Sequence, residues 1–98
     1  MELEIKEKFL DLIRQVTNLE FSKKSIVELG SIKLEAERFS KTITDKSLKR
    51  FCINELEQLD TDEFSVMYSK GSESSFIAAK HELLDILKDC SNGKLNSK

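Results

Sequence analysis

The chain carries two cysteines, Cys52 and Cys90, and a single histidine, His81. A thiol beside an imidazole is the pairing that makes a thiolate nucleophile, because the imidazole takes up the thiol proton. Spacing works against that chemistry here. Cys90 follows His81 by nine positions, roughly 13 Å of helical rise, so only Cys52 could meet the ring, and only through the fold. No second Cys or His stands next to either thiol, so the pattern is neither that of a zinc site nor that of a disulfide framework. Both cysteines fall on the apolar stripes described below and are expected to be reduced core thiols. In "AAKHELLD" the imidazole sits between Ile77 and Leu84, a boundary packing position for a residue that is not expected to act as a general base.

The second candidate is "RFCINELEQLDTDEF", residues 50–64, where five carboxylates follow one arginine and no further cation arrives until Lys70. "DTDEF" lacks the turn glycine and the terminal glutamate of a calcium loop. Paired carboxylates for glycoside hydrolysis need a cleft that a chain of this size hardly provides. Gly30, Gly71 and Gly93 are isolated, and no phosphate-loop signature is present. Two readings remain. In the first, Asp60, Asp62 and Glu63 favour a helix start while Glu55 and Glu57 face water. In the second, Glu55, Glu57, Asp62 and Glu63 form the rim of a partner site for a basic protein surface, with exposed Phe64 or Tyr68 as its apolar anchor. Just upstream, Arg38, Lys41, Lys46, Lys49 and Arg50 form a basic run, and these offer an alternative nucleic-acid patch.

The elements that carry these residues read as helices. Ile5, Phe9, Leu12, Ile13 and Val16 recur at steps of three and four, which predicts a helix over about 2–18 with Glu2–Lys6 and Glu4–Lys8 pairs on its surface. Ile26, Leu29, Ile32, Ala36 and Phe39 predict a second over about 23–41, with Ser22 as its cap and Phe21 and Ile26 as a hydrophobic staple. Gly30 lies inside this helix and suggests a close crossing. Leu48, Phe51, Cys52, Leu56 and Leu59 mark a third helix behind a Thr44 or Asp45 cap. A short segment with Phe64, Met67 and Tyr68 follows, capped by Asp60 or Thr61. Its period-two alternation also allows an extended piece. Phe76, Ala79, Lys80, Leu83, Ile86, Leu87 and Cys90 predict a last helix over about 74–89, and "KLNSK" reads as a polar tail.

At 98 residues, 39% apolar and 35% charged, with net charge −2, the chain suits one folded domain with a highly charged surface. Such a balance disfavours a general phosphate-neutralising nucleic-acid binder. The expected architecture is all-α: a bundle of four to five helices with antiparallel neighbours over 1–90, and a flexible tail over 91–98. Leu12, Leu29, Phe51, Leu56, Leu83 and Leu87 are its expected core. Charge interrupts every apolar pair of "MELEIKEKFLDLIRQV", so neither a signal peptide nor a membrane span is expected, and the cytosol is the expected compartment.

"KLEAERF" followed by "SLKRFCINELEQLD", about residues 33–60, resembles the helix pair that opens abortive-infection proteins of the AbiTii type in bacterial phage defence. There an Ala/Leu-rich helix precedes Leu-x-x-Trp-x-x-x-Glu-Leu-Asn-Gly-Tyr. Leu48, Phe51, Glu55 and Leu56 take the Leu, aromatic, Glu and Leu positions, while Glu57, Gln58 and Leu59 stand where that family has Asn-Gly-Tyr. In size and helicity the chain is also similar to bacteriocin immunity proteins. Both resemblances imply action by binding: a non-enzymatic helical module with a protein partner, working as an immunity, inhibitor or defence-associated factor, without cofactor or metal. Association of like chains is compatible with the same features.

Overall fold

Apolar side chains at helical spacing bury one stripe per helix, and here they assemble five of them. The computed structural model describes residues 3–93, and within it run α1 (Leu3–Thr17), α2 (Lys23–Ser40), α3 (Lys46–Gln58), α4 (Glu63–Lys70) and α5 (Glu73–Asn92). Among the described residues there is no strand, so the fold is all-α. The segment that could have been extended is helical as α4. No described helix is long and apolar enough to cross a membrane.

Short polar side chains set the boundaries by satisfying the free amides of each first turn. The Ser22 hydroxyl accepts from the Ser25 amide at 3.0 Å, Asp45 from Leu48 at 3.0 Å, and Ser72 from Ser75 at 3.3 Å. Gly71 and Gly93 close α4 and α5 with φ of 60° and 62°, the left-handed region glycine enters without steric cost. α4 departs from expectation. Its cap position is Asp62, without a side-chain cap bond, and Asp60 is drawn elsewhere. Helix α5 runs through Asn92, and Ser91 is buried, so the expected tail does not begin at 91. The rest of that tail, 94–98, and Glu2 of the expected Glu2–Lys6 pair lie outside the described residues.

Named contacts join the helices. The Lys8–Glu35 ion pair and the edge-on Phe9–Phe39 rings tie the middle of α1 to the second half of α2. Lys8 thereby serves a tertiary contact rather than the expected pair with Glu4. The Lys80 ammonium donates to the carbonyls of Leu19 at 2.7 Å and Thr17 at 3.3 Å, which caps the end of α1 with a cation from the first half of α5. α5 packs along α1 and against α3 and α4, placing Leu83 and Leu87 at the centre of the shared core. Leu12, Leu29 and Leu56 are buried with them, whereas Phe51 is only half-buried because it sits on the outer flank of the α3 stripe. Phe21 does not staple α2 alone; its ring meets Phe76 of α5 at 5.7 Å.

Candidate functional site

The densest concentration of polar chemistry lies where α2, the α3–α4 turn and α4 meet. Lys33 occupies the apolar arc of α2, four residues after Leu29 and three before Ala36, and its side chain is only 2% exposed. Its ammonium lies 2.8 Å from Asp60 Oδ1 and 3.2 Å from Glu37 Oε1. Both contacts are ion pairs. The Phe64 ring stands 5.8 Å from the same ammonium, within cation–π range. Burial disfavours the charged form, but the Asp60 and Glu37 carboxylates more than offset it and hold the Lys33 pKa above the ordinary lysine range. Two carboxylates against one ammonium leave this trio with an excess negative charge.

Tyr68 covers the cluster from outside. Its ring packs edge-on to Phe64 at 6.1 Å, and its hydroxyl is seated on Gly30, where a β-carbon would overlap it. The close crossing suggested by Gly30 is thus an α2–α4 approach made by a side chain. Burial of the phenol, reinforced by Asp60 and opposed by Lys33, pushes the Tyr68 pKa up. Tyr68 is nevertheless 56% exposed, and Val27 and Leu34, one turn before and after Gly30, are exposed at 66% and 48%. Helical spacing puts Val27 and Leu34 on either side of the glycine on which Tyr68 is seated.

The expected acidic rim divides. Asp60 pairs with Lys33. Asp62 and Glu63 line a groove on the α5 side of α4, with Val66, Ser75 and Ala78. Glu55 is half-buried and close enough to Cys90 to act on its thiol. Glu57 is exposed. Phe64 is fully buried, so it cannot be an exposed anchor: as the first apolar residue of α4 it is the one turned onto Lys33 and the core. Of the basic run, Arg38, Lys41, Lys46 and Arg50 are exposed and Lys49 half-buried, and none has an ion-pair partner among the described residues. Lys46 and Arg50 flank a shallow groove with Ser47, Phe51 and Asn54.

The thiols come together although far apart in sequence. Cys52 and Cys90 are both buried and free, close enough to act on each other's ionisation, with Ser40 next to Cys52. The Cys52 thiol, burial and the nearby Asp89 and Glu55 carboxylates push the Cys90 thiol far above its ordinary value, while Cys90 and Ser40 pull Cys52 down; both thiols are nevertheless fully buried, and the one imidazole stands out in solvent, so neither is placed to meet a substrate. His81 is not a boundary packing residue. Its side chain is 73% exposed, 3.6 Å from Asp85 on the solvent side of α5. Among the described residues no three His, Cys, Asp or Glu side chains are gathered so as to hold a metal ion.

Lys33 was the residue hardest to find from sequence, although its spacing from Leu29 and Ala36 is a usable sign of a buried cation. Among known proteins, the chain matches no family model, no curated protein and no solved structure.

Proposed function

We propose that this bundle is a non-enzymatic cytosolic module that acts by protein–protein contact, in the manner of an immunity, inhibitor or defence-associated factor. The observation that carries the reading is Tyr68, a residue more than half exposed whose hydroxyl is seated on Gly30 and whose ring packs on Phe64, with Val27 and Leu34 exposed one turn before and after that glycine. An aromatic side chain already packed on its neighbours has less freedom to lose on association, and aromatic residues are enriched among binding hot spots. Carboxylates at Glu57, Asp60, Asp62 and Glu63 favour a partner with a basic surface and would raise its association rate.

Affinity purification of the tagged chain from its own cells, with Tyr68→Ser and Val27→Ser as paired controls, tests the reading. A direct partner recovered with the wild type and lost from both variants, each still folded by circular dichroism, is the expected result. Recovery of the same proteins by all three chains would overturn it.

A second reading has one observation in its favour: the cations Arg38, Lys41, Lys46 and Arg50 around the α2–α3 turn are exposed without ion-pair partners among the described residues. Such a nucleic-acid patch would give binding that falls steeply with salt and disappears when Lys46 and Arg50 are neutralised.

A further inference from the structure

We propose that the occupant of the Tyr68 face is a partner segment presenting one arginine to Asp60, with an adjacent apolar side chain on Val27 and Leu34. The inference rests on the protein-contact reading above and names the partner's chemistry. It follows from charge. Asp60 and Glu37 share a single ammonium, and Lys33 is so fully buried that no outside group can replace it. Glu37 is itself only 14% exposed, but Asp60 is 55% exposed and commits only its Oδ1 to Lys33. The excess negative charge therefore faces solvent at Asp60, near enough to the exposed Tyr68 to act on its phenol.

A guanidinium fits both features at once. Its planar N–H fork can donate to the outer oxygen of Asp60 while its face lies against the Tyr68 ring. An ammonium can satisfy the carboxylate but offers no plane to stack, and it is more strongly hydrated. Lys33 holds Asp60 through their ion pair at 2.8 Å, so the carboxylate need not be ordered on binding. The exposed apolar Val27 and Leu34 then help to exclude water from that face, which strengthens the electrostatic contact.

The probe is a random peptide library displayed on phage, panned against the wild-type chain and counter-selected on the Val27→Ser/Tyr68→Ser variant. Enriched sequences should carry an arginine next to an apolar residue. A synthetic copy with that Arg replaced by Gln should bind the wild-type chain about tenfold more weakly or worse, and one with Lys should recover only part of the loss. Because these arms alter the peptide and not the protein, they do not depend on any variant folding. The Asp60→Asn protein should no longer distinguish the Arg and Gln peptides. Enriched peptides that need Tyr68 but lack a cation, or that tolerate Arg→Gln, would overturn the arginine inference and leave the docking face standing. If no peptide depends on Val27 and Tyr68, the docking face fails and the inference fails with it.

Discussion

At the scale of single residues, the ion pair at the centre of the site is asymmetric: its cation is buried and its main anion is half in water. Removing Asp60 takes the shorter contact from a buried ammonium and leaves it only Glu37 at 3.2 Å, whereas removing the cation leaves Asp60 to water and Glu37 at the rim of the core. Asp60→Ala should therefore cost more stability than Lys33→Met, about 2–3 kcal/mol against about 1 kcal/mol, because methionine keeps the apolar stem packed. Urea denaturation of the two variants checks the order, and a larger loss for Lys33→Met would contradict it. The same cluster sets a pH dependence. Lys33 and Tyr68 both have folded-state pKa values above their ordinary 10.5 and 10.0. Raised values mean that the unfolded chain releases its protons first, so their contribution is complete below about pH 10 and is lost as pH climbs through the folded values. The urea midpoint should fall in that alkaline window, with Tyr68→Phe removing the tyrosine share. A midpoint flat across the window would exclude this linkage.

Among the elements, α2 and α4 meet through one side chain and one missing side chain. Gly30→Ala would gain about 1 kcal/mol of helix propensity, and its new methyl would displace the far end of Tyr68, which has solvent to move into. The expected outcome is a thermal midpoint that does not fall, together with a phenol that titrates closer to the ordinary tyrosine value. The chain has one tyrosine and no tryptophan, so ultraviolet absorbance of the phenolate reports Tyr68 alone. A strongly destabilised variant with an unmoved phenol would show instead that the ring is locked. Helix caps contribute separately: Ser72→Ala removes the side-chain bond at the start of α5 and should cost about 1 kcal/mol, read from the same melts.

For the whole molecule, every helix delivers side chains to one core, and α5 touches α1, α3 and α4. Unfolding should accordingly be a single cooperative transition. Leu83→Ala should lower it by about 2–5 kcal/mol, and separate transitions for α4 and for the remainder would refute the shared core. The elements were legible from sequence because their causes are local: Phe9, Leu12 and Val16 recur at helical period, Ser22 and Asp45 stand where a first turn needs an acceptor, and Gly71 and Gly93 sit where the chain must turn left-handed. What was not legible depends on which stripes face each other. Periodicity places Lys33 on a buried arc but cannot supply Asp60 from another helix, and it cannot bring Cys52 to Cys90 or seat Tyr68 on Gly30. His81 and Phe51 lay within reach of apolar stripes, yet the width of each buried face is set by the neighbouring helix, which left the first mostly in water and the second half-buried. The sequence alone determined an all-α bundle of four to five helices and left the α4 segment open between helix and extended chain. Tertiary packing decided that one carboxylate of an acidic run became the partner of a buried lysine, because desolvating that ammonium is tolerable only where a second chain segment brings it an opposite charge.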